Sequence, residues 1–276
     1  MTDQYAVIGN PIGHSKSPMI HMAFAQATGQ DISYVALEAP VDGFAAKVDA
    51  FRAQGGRGLN ITSPFKLDAF AYATRLLEPA RLAGAVNAMA FEGDEAAADN
   101  FDGIGLVRDI VQNLGCPVRG RRVLLLGAGG AARGAMLPFL EQRPAELVVA
   151  NRTAAKANTL AEQFSGNGTV AATGYDALAH EPPGGYDIIV NATSASLHGE
   201  LPPIPAGVFK ADCLAYEMVY GKGLTPFLRL AQSAGAERLA DGVGMLVEQA
   251  AEAFAWWRGI RPGTRALIER MTIPLS

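Results

Sequence analysis

The sequence has only two cysteines among its 276 residues, Cys116 and Cys213, and they lie far apart. Neither has another cysteine or a histidine at the spacing of a metal site, so the common zinc-binding motifs are excluded. The four histidines show no metal-binding spacing either. We therefore expect two reduced thiols and no bound metal ion, as in a protein of a reducing compartment.

Basic residues are not in excess, because 23 lysines and arginines stand against 27 aspartates and glutamates, for a net charge of -4. Without a block of lysine and arginine, the electrostatic basis for nucleic-acid binding is missing. No run approaches the roughly 18 apolar residues of a transmembrane helix, and the N-terminus lacks the pattern of a signal peptide. The composition predicts a soluble cytoplasmic protein that binds neither nucleic acid nor membranes.

Glycine, in contrast, is abundant, with 31 residues. No Gly-X-Y repeat is present, so a collagen-like chain is excluded and the glycines must serve particular turns. The hydrophobic fraction of 49% is that of a folded protein, which excludes a disordered chain. The length is close to twice that of a domain of about 150 residues and predicts two domains.

Short apolar runs alternate with amphipathic segments along the chain. The predicted strands are 5–9, 32–38, 58–61, 86–91, 123–127, 146–151, 186–191, 212–218 and 236–240, and the Ala-rich segment 95–98 is predicted to be a loop. The predicted helices are 18–28, 44–54, 104–114, 130–142, 153–164, 225–234 and 243–259. Strands separated by helices pair in parallel, so the sequence predicts an α/β protein.

The glycine-rich segment after the fifth predicted strand has the pattern Gly127-x-Gly129-x-x-Ala132 and leads directly into a helix. Gly127 permits a tight turn, Gly129 lets the backbone approach a pyrophosphate, and the small Ala132 allows close packing of helix against strand. The free N–H groups at the helix N-terminus favour phosphate. The segment predicts a dinucleotide-binding fold.

The next predicted strand bears on the choice of cofactor. An NAD site usually carries Asp or Glu about 20 residues after the glycines, but here the strand ends in Asn151, Arg152 and Thr153, with Lys156 one helical turn later. The planar guanidinium of Arg152 suits a 2′-phosphate. Alternatively, Thr153 caps the following helix and Arg152 is an ordinary surface residue. We interpret the strand end as favouring NADP.

Polar residues also follow the earlier strands. Ser15 and Ser17 precede a predicted helix, where two hydroxyls suit a carboxylate ligand, although Ser17 could instead cap that helix. Lys66 follows the third strand at the start of a helix, where the helix dipole disfavours a cation, so this placement indicates functional use. Asp102 precedes the helix 104–114, and its alternative is a simple N-cap.

As an ordered set, these segments resemble the shikimate dehydrogenase family. The matching segments are Asn10-Pro-Ile-Gly-His-Ser-Lys-Ser-Pro18, 60–66, 84–87, 99–103, 127–133, 151–153, 191–194, 216–227 and 241–250. They follow one another from residue 9 to about residue 259, so the resemblance covers nearly the whole chain.

The resemblance implies a catalytic pair of Lys66 and Asp102. It implies substrate binding by Ser15 and Ser17 at the carboxylate, by Asn60, Thr62, Asn87 and Gln249 at ring hydroxyls, and by Tyr216 beside the substrate. The implied cofactor residues are Gly127, Ala128, Gly129, Gly130, Ala131, Asn151, Arg152, Thr153, Lys156, Thr193, Gly242 and Met245. The implied reaction is the reversible reduction of 3-dehydroshikimate to shikimate with NADPH, in the biosynthesis of chorismate and the aromatic amino acids.

The resemblance also implies an architecture. Residues 1–102 with 241–276 would form an α/β substrate domain with a mostly parallel sheet, and residues 103–240 a Rossmann-type NADP-binding domain. The active site would lie in the cleft between them. The expected assembly is a monomer or a homodimer, with shikimate or 3-dehydroshikimate as the small-molecule partner.

Three residues depart from the family pattern. Ser63 replaces an apolar residue, Phe101 replaces the threonine before Asp102, and Glu217 replaces the aspartate after Tyr216. Phe101 has the largest consequence, because it adds a ring and removes a hydroxyl beside the implied catalytic carboxylate. It therefore bears on the fit of the substrate.

Four alternatives follow from the residues. A quinate/shikimate dehydrogenase using NAD is disfavoured by the strand end at 151–153, whereas Phe101 favours a related enzyme that acts on another hydroxylated cyclic carboxylate. A non-catalytic dinucleotide sensor would need neither Lys66 nor Asp102. An enzyme resembling methylenetetrahydrofolate dehydrogenase would share the two-domain design but lack the serine and lysine motifs.

Overall fold

A computed structural model describes residues 2–180 and 184–275 of the chain. The chain forms two units. The first unit comprises Met1–Gly105 and Val247–Leu267, and the second comprises Leu106–Leu246 and Ile268–Ser276. The predicted boundaries lay at 102 and 240, with all of 241–276 in the first domain. The structure instead groups the C-terminal segment from Ile268 with the second unit.

The first unit contains a mixed sheet of six strands in the order β2-β1-β3-β5-β6-β4. The strands are β1 Asp3–Gly9, β2 Ile32–Glu38, β3 Gly56–Ile61, β4 Arg75–Leu76, β5 Ala88–Glu92 and β6 Glu95–Asp99. Strand β1 pairs in parallel with β2 and β3, and β4 in parallel with β6. Strand β5 is antiparallel to both β3 and β6. The sheet is therefore mostly but not wholly parallel.

The prediction of a loop at 95–98 is wrong, since these residues form most of β6. Gly93 adopts a positive φ of 54° in the turn between β5 and β6, so the two strands form a hairpin. Ala96, Ala97 and Ala98 are all buried there. Alanine carries a weak strand signal, and the strand forms because the hairpin and the neighbouring β4 supply partners.

The helices are α1 Ser17–Thr28, α2 Phe44–Ala53, α3 Lys66–Tyr72, α4 Glu78–Ala83, α5 Asp102–Arg108, α6 Gly130–Glu141, α7 Ala154–Phe164, α8 Pro226–Ser233, α9 Val243–Arg258 and α10 Arg265–Met271. Helix α5 continues as a π-helical turn, Asp109–Asn113. The apolar spacing of Phe44, Val48 and Phe51 predicts one buried face of α2. All three side chains are buried, which confirms it.

The second unit contains a sheet whose strand pairs are all parallel, in the order β12-β11-β10-β7-β8-β9. The strands are β7 Arg122–Leu126, β8 Glu146–Asn151, β9 Val170–Gly174, β10 Tyr186–Asn191, β11 Phe209–Glu217 and β12 Arg238–Ala240. The strand order reverses between β7 and β10, and such switch points are where doubly wound sheets bind ligands. The prediction of a parallel Rossmann-type sheet is confirmed.

The centre of this sheet is buried on both faces. Val123, Leu124, Leu125 and Leu126 of β7 have no exposed surface, as a continuously apolar strand predicts. The edge strand β9 was missed in the sequence because all its residues are only partly buried and its pattern is correspondingly weak. Within the described residues, we find no helix with the length and apolarity to cross a membrane.

A buried histidine lies in the first unit. His21 of α1 is fully buried, and its ring stacks on Tyr34 with 4.2 Å between centroids and 4° between planes. Phe254 and Trp257 of α9 also lie against the ring. Burial lowers the pKa of His21 to about 3, although the nearby Asn60 amide acts in the opposite direction. His21 is therefore neutral and part of the core at neutral pH.

Because His21 is buried in its neutral form, we expect the free energy of unfolding to decrease in acid. The unfolded chain, with a histidine pKa of about 6.5, takes up the proton before the folded protein does, at about 3. The contribution of His21 to stability is thus present above about pH 6.5 and is lost as the pH falls below it. Between pH 7 and pH 5 we expect a loss of about 2 kcal/mol through this group.

Urea unfolding of the wild type and of His21→Phe at both pH values checks this expectation. Phenylalanine can stack on Tyr34 but cannot take up a proton, so the variant should lose less stability on acidification. An equal loss in both proteins would assign the acid sensitivity to other groups.

Candidate functional site

The position of Lys66, which follows β3, is fixed by its buried neighbour Phe65. Phe65 has no exposed surface, packs against Phe44 at 5.4 Å between ring centroids, and donates its backbone N–H to the carbonyl of Thr62. Lys66 follows as the first residue of α3, with 36% of its side chain exposed. The buried Phe65 ring therefore fixes the start of α3. The Lys66 ammonium lies just beyond the carboxyl end of β3, where it is partly exposed and accessible to a ligand.

Lys66 is paired with Asp102, the first residue of α5. Its Nζ donates to Asp102 Oδ2 at 2.5 Å, and only 14% of the Asp102 side chain is exposed. The backbone N–H of Asp102 donates to the Asn100 side-chain oxygen at 3.0 Å. The Asn100 side chain therefore accepts a backbone N–H at the start of α5, as a capping residue does. Asn100 was not among the predicted site residues. The alternative of Asp102 as a simple N-cap is wrong, and its carboxylate faces Lys66.

Asn87 holds the other side of this carboxylate. The buried Asn87 amide donates to Asp102 Oδ1 at 2.8 Å and to Gln249 Oε1 at 3.3 Å. Its own oxygen accepts the backbone N–H of Phe101 at 2.8 Å. Each oxygen of Asp102 thus has a donor, and a carboxylate can accept further hydrogen bonds from a ligand. The structure brings these predicted residues into one network.

Gln249 reaches this network because α5 and α9 lie close together. A Cβ built on Gly105 would stand 2.7 Å from the backbone nitrogen of Gln249 and 2.8 Å from its Cβ. Only glycine at position 105 therefore lets α9 approach α5 at this distance. The ring of Phe101, one of the departures from the family, packs edge-on against Trp256 at 5.7 Å.

Two more predicted substrate residues, Asn60 and Thr62, lie at the carboxyl end of β3. Asn60 accepts from the Tyr34 hydroxyl at 2.7 Å and donates to the Asn87 carbonyl at 3.3 Å. A Cβ on Gly9 would stand 2.6 Å from Thr62 Cγ2, so glycine allows the two strand ends to meet. Tyr34 was missed in the sequence, because a tyrosine in a strand usually reads as core.

Ser15 and Ser17 lie at the start of α1. Ser17 is the first helical residue, and its backbone N–H donates to the Ser15 hydroxyl at 3.3 Å. Lys16 occupies the N-cap position, so the alternative in which Ser17 caps the helix is wrong. The two hydroxyls flank a helix N-terminus, where N–H groups and the dipole favour an anion.

The glycine-rich turn has the backbone that its sequence predicts. Gly127 adopts a φ of +108°, a conformation that other residues rarely adopt. In the described part of the chain, no atom lies within 4 Å of a Cβ built on Gly129, and no side chain caps α6. The first N–H groups of the helix are thus open to a phosphate.

The end of β8 carries the predicted phosphate residues. Asn151 donates to the Thr153 carbonyl at 3.0 Å, and Thr153 occupies the N-cap position of α7. Its hydroxyl makes no capping hydrogen bond to any described residue. Arg152 and Lys156 are exposed, and neither forms an ion pair within residues 2–180 and 184–275. Two free cations beside a helix N-terminus suit a phosphate monoester.

Tyr216, at the end of β11, is fully buried and donates its hydroxyl to Asp109 at 2.8 Å. The same hydroxyl accepts the backbone N–H of Met245 at 3.3 Å. Burial, and then the Asp109 carboxylate, raise the pKa of Tyr216 well above its usual value. Glycine at position 242, just before α9, allows the backbone to approach the Met218 carbonyl, which a Cβ there would overlap. Asp109, which carried no sequence signal, thus anchors the first turn of α9.

The predicted residues divide between the units. The first unit holds Ser15, Ser17, Asn60, Thr62, Lys66, Asn87, Asp102 and Gln249. The second unit holds Gly127, Ala128, Gly129, Gly130, Ala131, Asn151, Arg152, Thr153, Lys156, Thr193, Tyr216, Gly242 and Met245. One unit therefore carries the predicted acid–base pair, and the other carries the predicted dinucleotide residues.

Three family models match the chain. The shikimate dehydrogenase substrate-binding domain matches residues 7–89, and the shikimate/quinate 5-dehydrogenase model matches residues 107–198. The shikimate 5′-dehydrogenase C-terminal domain matches residues 242–271. The matches therefore extend through both units.

Individual relatives agree. The shikimate dehydrogenase (NADP(+)) of Chromobacterium violaceum is 59% identical over 96% of this chain and 96% of the relative. The crystal structure of an Ael1 enzyme from Pseudomonas putida is 59% identical, with a TM-score of 0.95 over 100% of both chains. Shikimate 5-dehydrogenase from Thermus thermophilus, crystallised with NADP(H) and shikimate, is 29% identical, with a TM-score of 0.83 over 98% of this chain and 100% of that one. The resemblance seen in the sequence is thereby confirmed, and the chain belongs to the shikimate dehydrogenase family.

Proposed function

We propose that this chain catalyses the reversible, NADP-dependent reduction of 3-dehydroshikimate to shikimate. The observation that carries the proposal is the Lys66–Asp102 pair. Lys66 Nζ lies 2.5 Å from Asp102 Oδ2, and the Asn87 amide holds the other carboxylate oxygen, Oδ1. A relative that is 59% identical over 96% of the chain bears this activity and cofactor in its name. A sensor that only bound the dinucleotide would have no use for such a pair.

The residues at the ends of β7 and β8 fit NADP. The positive φ of Gly127 and the uncapped start of α6 form a cradle for the pyrophosphate, and Asn151, Arg152, Thr153 and Lys156 would hold the 2′-phosphate. Gly242 and Met245 are assigned to the nicotinamide side by family membership, and Thr193 is assigned to the cofactor site on the same ground. When bound, NADPH supplies the hydride that the ketone carbon accepts.

Lys66 acts on the substrate oxygen. As the ketone carbon is reduced, negative charge develops on its oxygen. The Lys66 ammonium gives one N–H to Asp102 and keeps further N–H donors for this oxygen. A proton then moves from Nζ to the oxygen, which leaves an alcohol and a neutral amine that solvent reprotonates. In the oxidative direction, the neutral amine accepts the proton of the hydroxyl.

Asp102 orients that ammonium. Its Oδ1 is held by Asn87 and its Oδ2 by Lys66, so the carboxylate cannot rotate freely and the amine points in a fixed direction. The remaining acceptor positions of Asp102 can take a substrate hydroxyl. Asn60, Thr62 and Gln249 would bind other ring hydroxyls, and the Ser15 and Ser17 hydroxyls would bind the ring carboxylate.

A steady-state assay of the purified full chain tests the proposal. Shikimate and quinate are each supplied with NADP+ and with NAD+, and we expect the highest kcat/KM for shikimate with NADP+. Turnover of quinate or of another cyclic hydroxy acid in preference would favour a related activity, for which the Phe101 ring against Trp256 is the structural argument. Tight NADP+ binding without any turnover would favour a sensor.

Removing the guanidinium of Arg152 tests the assignment of the 2′-phosphate site. A hydrogen bond to a charged group contributes about 1.5–3 kcal/mol. Arg152→Ala should therefore raise the KM for NADP+ by about 10–100-fold. NAD+ has no 2′-phosphate, so its KM should change little.

Arg119 provides the matched control, because it is also exposed but lies before β7, at the opposite end of that strand from Gly127. Arg119→Ala should leave both KM values near those of the wild type. Equal increases for NADP+ and NAD+ in Arg152→Ala would contradict the assignment.

A further inference from the structure

Glu217, the residue that replaces the usual aspartate of the family, is a buried carboxylate at the carboxyl end of β11. It has no exposed surface and lies directly opposite Asn191 in the pairing of β10 with β11. The neighbouring strand on the other side of β10 is β7, which ends at the glycine-rich turn. Glu217 thus lies one strand away from the switch point of the sheet.

Four donors converge on this carboxylate. Its Oε2 accepts from the Asn191 amide at 3.0 Å, the Ser196 hydroxyl at 2.5 Å and the Thr225 hydroxyl at 3.0 Å. Its Oε1 accepts the backbone N–H of Val219 at 3.4 Å. Burial raises the pKa of Glu217, and these hydrogen bonds act in the opposite direction. A carboxylate that accepts from every neighbour fixes the direction of each of them.

The fixed orientation of the Asn191 amide determines the hydrogen bonds of Thr193. Because the Asn191 nitrogen donates to Glu217, its oxygen must face the other way. There it accepts both the backbone N–H of Thr193 at 3.1 Å and its hydroxyl at 2.7 Å. The Thr193 hydroxyl in turn accepts the backbone N–H of Ala195 at 3.3 Å. The loop after β10 therefore takes its conformation from one amide orientation.

Thr193 lies against the phosphate turn. A Cβ built on Gly127 would stand 3.2 Å from Thr193 Cγ2, so the methyl group of Thr193 faces the backbone that adopts the positive φ. The carboxyl ends of β7 and β10 are adjacent here, at the place where parallel sheets bind dinucleotides. A displaced Thr193 would either press on the turn or open a gap beside it.

We infer that Glu217 is a positioning residue for the dinucleotide site, acting through the Asn191 amide on Thr193. The inference rests on the proposed function, because Thr193 is assigned to the cofactor there. Glu217 itself touches no reacting atom. Its role is to hold the loop after β10 in the one conformation that leaves the cofactor cradle open.

The test is Glu217→Gln in the full chain, with the Kd for NADPH measured by fluorescence titration. A glutamine keeps the size of the side chain, but its single oxygen replaces only one of the two carboxylate oxygens. Its NH₂ group must therefore face either the Val219 N–H or the three donors at the Oε2 position, and the hold on the Asn191 amide weakens. We expect the Kd for NADPH to rise about tenfold, which corresponds to about 1.4 kcal/mol. The KM for shikimate should stay within about twofold of the wild type.

Asp187→Asn is the matched control, since Asp187 lies on the same strand, β10, near its opposite end. This carboxylate also accepts several hydrogen bonds, from the Arg122 backbone at 2.7 Å and from Lys210 at 2.8 Å. The control should lower the melting temperature without changing the Kd for NADPH. A similar rise in Kd in both variants, or an unchanged Kd in Glu217→Gln, would overturn the inference.

Ser196→Ala covers the case in which Glu217→Gln does not fold. It removes one donor but leaves the carboxylate, and we expect a smaller rise in the Kd for NADPH, of about two- to fivefold; no rise would overturn the inference. Because binding is measured without turnover, a wild type that binds NADPH but does not oxidise shikimate would refute the proposed function alone. The inference on Glu217 would still be decided by the Kd values.

Discussion

Replacing Lys66 with alanine is expected to lower kcat by about 10²–10⁴-fold and to leave the Kd for NADPH unchanged. The substitution removes both the proposed proton donor and the positive charge proposed to face the substrate oxygen. The residues proposed to hold the cofactor phosphates belong to the second unit, whereas Lys66 belongs to the first, so the phosphate turn stays intact. Absorbance assays of NADPH measure kcat, and fluorescence titration measures the Kd.

Two further variants sharpen this prediction. Lys66→Arg keeps the positive charge but cannot readily release a proton, so a large loss of kcat in this variant assigns proton transfer rather than charge alone to the lysine. Lys47→Ala, on α2 of the same unit, serves as a control and should retain wild-type kcat. A kcat near the wild-type value in Lys66→Ala would refute the assignment.

Asp102→Asn is expected to lower kcat on the order of 10²-fold and to raise the KM for shikimate. Its two carboxylate oxygens accept from Asn87 and from Lys66. An amide has one oxygen and one NH₂ group, so one of these donors must face another donor. The ammonium then loses both its counter-charge and its fixed direction. Asp68→Asn, an exposed acid on the same helix as Lys66, is the matched control.

The double variant decides whether the two residues act as one unit. We expect Lys66→Ala combined with Asp102→Asn to have nearly the kcat of Lys66→Ala alone, because Asp102 is proposed to act through the ammonium. Fully additive losses would mean that the carboxylate has a separate catalytic role. The pH dependence of kcat in Asp102→Asn provides a second readout of the same coupling.

Much of the fold is readable from the residue pattern. The apolar run before Gly127 predicts the buried residues 123–126 of β7, and the spacing of Phe44, Val48 and Phe51 predicts the buried face of α2. In both cases the signal is local, because one stretch of chain contains the whole pattern. Strand β6 could not be predicted in this way, since its alanines form a strand only through their partners β5 and β4.

The candidate site was predictable where its motifs are contiguous. The phosphate turn and the strand end at Asn151–Thr153 each lie within a few residues, and the structure gives both the backbone that their sequences predict. Tyr34, Asp109 and Glu217 were not recognised as supporting residues. Each is a single residue within a strand or helix pattern, and its partner lies far away in the chain.

The sequence by itself determined most of the alternation of strands and helices and the dinucleotide turn, and it indicated Lys66 and Asp102 as the proposed acid–base pair. Only the tertiary structure decided how these groups meet. Lys66 and Asp102 are 36 residues apart, and Asn87 and Gln249 are 162 apart. A hydrogen bond needs its two atoms within about 3.2 Å and in line, and no local pattern in a chain encodes such a distance. It arises from strand pairing and from close approaches such as that of Gly105 to Gln249.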